Sequence, residues 1–333
     1  NRRYRWGLGT IVLLTGVLLL AIPAVSATNW AASSATPPPP LTHAKCAINV
    51  GGIPQFATYD PVNHDLFVPN QGTANLSIIS GCKVIATVTF PAGAQTWGSG
   101  FDPQTNRVWV ADGVLGQIYV LSGTGTIVKT ITSATFAHPW GIAFDPAAGL
   151  MAVTNRNSNT VTFLRGTAVV GTTTVGSGPF MMVYDPTGSR LLVTNRLSAN
   201  VTSLDAALPM DESLNINIAV GSGPNGIAYD PVDSDVYVAN LISDTLSVIN
   251  GVGTVVGTVT VGTSPTWAVW DQSKLSVYVT NIGSNTVSEV RGLSVVYTIH
   301  GPSGAHFNGI AYDDANDRVY VTGAFVAKVY EYS

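Results

Sequence analysis

Beyond residue 45, apolar and polar residues alternate in short runs separated by turns rich in Gly, Asn, Asp and Pro. The stretch "VYVTNIGSNTVSEV" (277–290) is typical, because two alternating segments flank a polar turn. Alternation of period two predicts β-strands, and no sustained period of 3.6 residues indicates an amphipathic helix in this region. The abundance of Val and Thr favours strands as well. We therefore predict that the body of the protein is all-β.

This hairpin pattern recurs with a period near 42 residues. One apolar strand of each unit ends in an aspartate, and the steps between these aspartates are 42, 43, 40, 45, 41 and 42 residues. The seven aspartates are Asp60, Asp102, Asp145, Asp185, Asp230, Asp271 and Asp313. A period near 42 with only strands is typical of propeller blades. We predict a seven-bladed β-propeller of four-stranded antiparallel blades around a channel.

The two ends of the repeat region predict how the ring closes. The seventh unit stops after its third strand, "KVYEYS" (328–333), while "CAINVGG" (46–52) matches the fourth strands of other units. An N-terminal strand that completes the last blade would leave no open sheet edge. Cys46 begins this strand and Cys82 precedes the outer strand of the first blade, so we predict a disulfide between them. That bond requires Cα atoms within about 7 Å.

A short motif at the second strand resembles a known family. "YVTN" (278–281), with the variants "YVAN", "LVTN", "AVTN" and "YVTG", is similar to the YVTN-type β-propeller repeat. The resemblance covers residues 46–333 and implies a propeller of the kind common in archaeal and bacterial cell-surface and periplasmic proteins. It implies no particular function, because the fold hosts binding proteins, surface-layer proteins and some enzymes.

The N-terminus carries a targeting pattern. Three arginines precede an apolar run over residues 6–25, which ends in small residues at Ala27. A run of about 20 apolar residues is long enough to span a membrane, so we predict a retained signal anchor. A signal peptide cleaved at Ala27 is the alternative, and a pilin-like packing helix is a third interpretation.

These patterns predict three segments. Residues 1–28 form the anchor, residues 29–45 form a Pro-rich linker, and residues 46–333 form the propeller. Because the arginines favour the cytoplasmic side, we expect a single-pass protein of the cell membrane with the propeller outside, in the extracellular or periplasmic space. Two sequons, at Asn75 and Asn200, predict glycosylation of an exported chain.

The charge of the chain and the spacing of its potential metal ligands argue against several functional classes. The chain has 15 basic and 19 acidic residues, without the basic stripe of a nucleic-acid binder. Acidic turns such as "DPVDSD" (230–235) could hold Ca²⁺ but lack EF-hand spacing, and capping of the turn also explains them. His138 and His306 share one repeat position near the channel mouth but have no neighbours at metal-ligand spacing. We predict no metal and no cofactor.

Residues that differ between blades mark a candidate binding surface. The loops before the first strands carry Trp97, Trp140 and Phe180, and the turns after the second strands carry Arg156 and Arg196 at one repeat position in adjacent blades. Together these five residues could bind sugar rings or an apolar partner surface, with the arginines recognising carboxylates. The alternative is that the aromatic side chains only fill the core between blades.

Two classes of function remain. The main hypothesis is a binding or scaffold module for other membrane or cell-surface proteins or glycans, or an accessory subunit of a membrane or surface-layer assembly. It is not an enzyme, because no nucleophile elbow and no acid–base cluster is evident. The alternative is a periplasmic or surface enzyme with a site at the channel mouth, lactonase-like or redox-linked. Buried Asp, Glu or His side chains that converge in the channel would favour the enzyme.

Overall fold

The computed structural model describes residues 40–333. Its strands form seven four-stranded antiparallel sheets, which confirms the predicted all-β, seven-bladed propeller. Within residues 40–333, no helix is long and apolar enough to cross a membrane. The membrane segment predicted over residues 6–25 and most of the predicted linker lie outside the described residues.

The first four blades follow one another along the chain, and in each the first strand is innermost. Blade one contains β2 (Thr58–Asp60), β3 (Asp65–Asn70), β4 (Asn75–Ser80) and β5 (Lys83–Thr89). Blade two contains β6 (Thr96–Asp102), β7 (Arg107–Asp112), β8 (Gln117–Ser122) and β9 (Ile127–Thr132). Blade three contains β10 (Pro139–Asp145), β11 (Leu150–Asn155), β12 (Thr160–Arg165) and β13 (Ala168–Thr174). Blade four contains β14 (Pro179–Asp185), β15 (Arg190–Asn195), β16 (Asn200–Asp205) and β17 (Ile216–Ala219).

The remaining blades repeat this plan, and the last one takes its fourth strand from the start of the described chain. Blade five contains β18 (Pro224–Asp230), β19 (Asp235–Asn240), β20 (Thr245–Ile249) and β21 (Val255–Thr260). Blade six contains β22 (Pro265–Asp271), β23 (Ser276–Asn281), β24 (Thr286–Arg291) and β25 (Ser294–His300). Blade seven contains β26 (Phe307–Asp313), β27 (Arg318–Gly323), β28 (Lys328–Tyr332) and β1 (Ala44–Asn49). Short 3₁₀ turns occur at Gln71–Thr73 and Glu212–Leu214.

Strand β1 is the outer strand of blade seven. It pairs antiparallel with β28, so that Ile48 lies opposite Val329. The strand begins at Ala44, two residues before the boundary predicted from the sequence, and Leu41 ahead of it is buried in the core. The start and the end of the described chain therefore share one sheet.

The repeated Asp and Asn residues have structural roles. Each Asp-Pro aspartate accepts backbone N–H groups of its own turn, as when Asp230 Oδ1 accepts from Val232 N at 2.8 Å. The asparagine at the end of a second strand donates to hydroxyls on the third strand, as Asn240 does to Thr245 and Ser247 at 3.1 and 3.0 Å. These bonds satisfy buried polar groups within each blade and confirm the structural interpretation of both repeats.

Neighbouring blades approach closely at their inner strands. The hydroxyl of Thr154 on β11 donates to the carbonyl of Phe180 in the next blade at 2.8 Å, and Thr194 donates in the same way to Asn225. A Cβ at Gly141 would collide with the backbone of Phe180, so glycine permits this approach. Because the blades meet here, loops from successive blades converge around the channel.

Candidate functional site

The loops before the inner strands and the turns after the second strands form one end of the ring, which we call the loop face. The backbone joins the two sets, since Arg156 N donates to His138 O at 3.2 Å and Arg196 N donates to Gly178 O at 2.9 Å. The Asp-Pro turns form the opposite end, which we call the Asp-Pro face. Side chains that vary between blades therefore meet at the loop face around the channel axis.

An aromatic layer lies across the channel beneath the loop face. Trp97 stacks on Trp140 with ring centroids 4.0 Å apart, and Trp140 contacts Phe180 at 4.6 Å. Phe180 then contacts Trp267 at 5.9 Å, and Trp267 stacks on Phe56 at 4.8 Å. Trp140, Phe180 and Trp267 are at most 6% exposed. The structure thus brings the predicted aromatic residues together, but mainly within this buried aromatic layer.

The two predicted arginines lie over this aromatic layer. The Arg156 guanidinium carbon is 5.3 Å from the centre of the Trp140 ring, and that of Arg196 is 5.6 Å from the Phe180 ring. Neither guanidinium belongs to an ion pair among the described residues. Burial and the neighbouring Arg156 charge lower the pKa of Arg196. Two neighbouring guanidiniums without a carboxylate partner have the chemistry that binds an anion or a polarised carbonyl.

His138 lies at the edge of the same group. Its ring centroid is 5.6 Å from Trp140 and 6.2 Å from Trp97. Burial and then the Arg156 charge lower the pKa of His138 below its ordinary value, while the Gly113 backbone and Asp112 act in the opposite direction. A histidine with a lowered pKa is neutral at pH 7 and can accept a proton.

The repeat position of His138 requires an unusual backbone. His138 has φ of 57° and His306 has φ of 51°, while the corresponding residues of blades four and five, Gly178 and Gly223, are glycines with positive φ. A left-handed backbone favours glycine, so a histidine at this position is energetically unfavourable. His306 has different surroundings: its Nδ1 lies 3.3 Å from Ile282 O, and its ring packs on the exposed Phe325.

The rest of the loop face is partly polar and partly apolar. A chain of side-chain amides crosses blades seven, one and two: Asn308 donates to Gln55, Gln55 to Gln71, and Gln71 to Gln95, at 3.2, 2.9 and 3.2 Å. Large apolar side chains are exposed in the turns of blades four, five and seven, namely Leu197, Ile242 and Phe325. The mouth therefore combines cations and a histidine on blades three and four with exposed apolar side chains, of which Leu197 adjoins Arg196.

The channel below the aromatic layer carries no acid–base cluster. Its cavity is lined by apolar residues, tyrosines, Thr58 and Ser99, and no Asp, Glu, His, Lys or Arg of the described chain lines it. Buried acid–base groups converging in the channel would have favoured an enzyme, and the channel has none among residues 40–333. The groups suited to acid–base chemistry instead lie at the mouth.

The other predicted sites have simpler roles. Cys46 and Cys82 are joined by a disulfide with Cα atoms 6.0 Å apart, as the sequence predicts. These cysteines and Glu331 are the one cluster of metal-ligand type found among residues 40–333, and the disulfide removes the thiolates that would bind a metal. Asn75 and Asn200 accept hydrogen bonds in their turns through Oδ1, at 2.8 and 3.0 Å. Their glycosylation stays a prediction.

Sequence reasoning missed Trp267 and the chain of side-chain amides at the loop face. Trp267 occupies a position that is glycine in blades two, three, five and seven, and its side chain fills the centre of the aromatic layer. A tryptophan at a repeated glycine position was the available signal. The grouping of Gln55, Gln71 and Gln95 could not be predicted, because it depends on how side chains of successive blades are oriented.

Comparisons with known proteins identify the fold. The sequence matches no protein-family model and no curated protein. Among solved structures, a streptogramin B lyase superposes with a TM-score of 0.75 at 14% identity, covering 86% of this chain and 96% of the lyase. A virginiamycin B lyase from Staphylococcus aureus gives 0.75 at 16% identity, covering 86% of this chain and 98% of the lyase. A catalytically inactive histidine-to-alanine variant of that lyase, with quinupristin, gives the same values.

This likeness corrects the expectation that the chain is not an enzyme. The solved propellers that it resembles over 86% of its length are enzymes, so the absence of a familiar catalytic motif was not a sound argument against catalysis. At 14–16% identity the likeness establishes the fold and no activity. The chain has the seven-bladed propeller fold of the streptogramin B lyases.

Proposed function

We propose that this protein is a propeller enzyme whose active site lies at the loop face. The observation that carries the proposal is the grouping of two unpaired guanidiniums and a histidine of lowered pKa on one aromatic layer. A cation beside a neutral base is suited to removing a proton next to a carbonyl group. The fold of the lyases supports this reaction class.

The proposed reaction is an elimination. The imidazole of His138 accepts a proton from a carbon next to the substrate carbonyl, and the electrons of that C–H bond form a carbon–carbon double bond. The bond to the leaving group breaks, and the leaving group departs with its electron pair and takes up a proton. Arg156 and Arg196 stabilise the negative charge that develops on the carbonyl oxygen.

The surroundings of the two histidines favour His138 as the base. His138 and Arg156 both contact Trp140, so that the base and the cation flank one ring. His306 instead packs on Phe325 and lies beside the carbonyl of Ile282. The exposed Leu197 next to Arg196 provides an apolar contact for the body of the substrate.

The location of this enzyme is a further part of the proposal. A disulfide between Cys46 and Cys82 suits an oxidising compartment, which supports a propeller outside the cytoplasm. Single-pass anchoring through residues 6–25, partners among membrane or cell-surface proteins and glycans, and membership of the YVTN-type repeat family remain proposals that rest on the sequence pattern.

Turnover of quinupristin tests the proposed function, because a neighbouring lyase structure contains that compound. We expect products whose summed mass equals that of the substrate, since an elimination adds no water. Replacing Arg156→Ala and Arg196→Ala together should lower kcat/KM by about tenfold to a hundredfold, the cost of charge-assisted hydrogen bonds to the substrate. Products are identified and timed by mass spectrometry.

The double variant should nearly keep its stability, because the loss of two cation–π contacts of about 1 kcal/mol each is opposed by relief of repulsion between the two cations. Arg165→Ala is the matched control, since Arg165 is exposed at the far end of β12. Products heavier by one water would indicate hydrolysis, and an unchanged rate in the double variant would exclude the arginines. Either result contradicts the proposal.

A further inference from the structure

The loop face is the positively charged half of the described chain. Among residues 40–333, the strand directions place only two of the 19 acidic residues in this half, Asp112 and Asp244, together with three basic residues, Arg156, Arg196 and Lys328. The Asp-Pro half holds the remaining 17 acidic residues against nine basic ones. An anion is therefore attracted to the loop face and repelled from the Asp-Pro face.

The two carboxylates of the loop face bind backbone donors and not the arginines. Asp112 is fully buried, and its Oδ1 accepts Gln95 N at 3.1 Å. Asp244 Oδ1 accepts Ser264 N at 2.7 Å. Arg196 has no ion-pair partner among the described residues. Its guanidinium therefore has N–H donors available for the carboxylate of a ligand.

Four turns of the loop face carry a large apolar side chain at one repeat position, the second residue after the second strand. These side chains are 53–70% exposed, and they are Val114, Leu197, Ile242 and Phe325. Two of them, Leu197 and Ile242, belong to adjacent blades and have matching backbone bonds, since their N–H groups donate to Ser177 O at 3.0 Å and Ser222 O at 3.1 Å. Exposed apolar side chains beside a cation suit a ligand with an apolar body.

The apolar positions do not form a continuous ring. The equivalent residues of blades one, three and six are Gly72, Asn157 and Gly283. Leu197 and Ile242 are therefore a pair with no large apolar neighbour at this position on either side. A patch of two side chains fits a small molecule, whereas a stable protein interface needs a much wider surface.

We infer that the substrate is a small amphiphilic anion, with a carboxylate bound by Arg196 and an apolar body that packs on Leu197 and Ile242. This inference rests on the proposed function and makes Arg196 a residue that determines specificity. The carboxylate is separate from the reacting carbonyl, which lies at Arg156 and His138, because these two side chains flank one ring. A guanidinium has five N–H donors, so Arg196 can hold the carboxylate and still contribute its charge to the reaction.

A matched pair of probes tests the inference on the full chain without turnover. Naphthalene-1-acetate and naphthalene-1-acetamide have nearly the same shape and differ in charge. We expect the acid to bind more tightly by about fivefold or more, the effect of charge-assisted hydrogen bonds to the guanidinium. Arg196→Gln should bind both probes equally, whereas Arg196→Lys keeps the charge and should retain a preference for the acid. Dissociation constants come from ligand-observed NMR titrations.

A second variant locates the apolar body of the ligand. Leu197→Ser should weaken both probes by about threefold and leave the preference for the acid intact, because it removes apolar contact area and no charge. Arg165→Gln and Val232→Ser are the matched controls, since they remove an exposed charge and an exposed apolar side chain from the opposite half. Both controls should bind the probes like the wild type.

Three results would overturn the inference. They are equal binding of the two probes by the wild type, a preference that persists in a folded Arg196→Gln, and unchanged binding by Leu197→Ser. Sedimentation with phosphatidylglycerol vesicles covers the other source of an amphiphilic anion: binding to vesicles that Leu197→Ser abolishes would assign this patch to a lipid surface and also contradict the inference. Neither probe has a leaving group, so these results are independent of the quinupristin turnover that tests the proposed function.

Discussion

At the level of single residues, the proposal depends on the charge state of His138. The pKa of this imidazole is lowered by its burial and by the Arg156 guanidinium, which keeps it unprotonated at neutral pH. A general base must be unprotonated to act, so the rate of the proposed elimination should rise with pH through this lowered pKa and then level off. The Gly113 backbone, and then Asp112, oppose this lowering of the pKa.

Arg156→Gln tests that electrostatic coupling without any substrate. Removing the cation should raise the pKa of His138 towards its ordinary value, because a like charge no longer disfavours protonation. The titration of the ring protons by NMR measures this pKa. Arg165→Gln, which removes an exposed charge remote from the histidine, should leave it unchanged. An unaltered His138 titration in Arg156→Gln would show that the two side chains are not coupled.

The sequence predicted part of the arrangement of these side chains at the loop face. The repeat register alone placed Arg156 and Arg196 side by side, because equivalent positions of adjacent blades are neighbours in a ring. The sequence left open whether the aromatic residues bind a ligand or fill the core. Trp140 and Phe180 are almost fully buried, which favours the second alternative for these two side chains. The prediction that they lie in the loops before the first strands was wrong, because both are the second residue of an inner strand, β10 and β14. Their burial depends on neighbouring blades, which the pattern within one blade does not describe.

At the level of elements, strand β1 connects the two ends of the described chain. Cys46 on this strand is bonded to Cys82 in the turn between β4 and β5, so the disulfide joins blade seven to blade one. The buried Glu331 beside it lies 3.4 Å from Lys45 and 3.5 Å from Arg318. The disulfide thus links blades seven and one, whereas both ion pairs lie within blade seven, where that of Lys45 holds β1 to β28.

Replacing both cysteines, Cys46→Ala and Cys82→Ala, should lower the free energy of unfolding by about 2–4 kcal/mol, since the bond restricts the unfolded chain. Denaturant unfolding of the oxidised wild type and the variant measures the difference. The wild type under reducing conditions should resemble the variant. If alkylation without reductant labels two thiols in the native protein, the bond does not form and this explanation of the joint fails.

The strands were more predictable than the loops for a physical reason. Alternation and repeated Asp and Asn fix the strands of each blade locally, and the missing fourth strand of the last unit matched residues near 46–52. The start of β1 at Ala44 and the burial of Leu41 were not evident, because they depend on packing against the core.

At the level of the whole molecule, the ring separates two environments. The loop face gathers cations, a neutral histidine and exposed apolar side chains, while the channel behind the aromatic layer is apolar. The repeated framework positions this face without contributing to its chemistry, as is common where loops on a rigid scaffold carry function. The repeated residues therefore predict the fold, while the residues that differ between blades carry the proposed active site.

The most direct test of the central claim compares two histidines that share a repeat position and a left-handed backbone. Glycine suits that backbone, so His138→Gly and His306→Gly should both fold like the wild type. We measure kcat/KM for quinupristin in the three proteins. The account predicts a loss of about 10²- to 10⁴-fold in His138→Gly, the typical contribution of a general base, and near-normal turnover in His306→Gly. Full activity in His138→Gly, or a loss confined to His306→Gly, would contradict it.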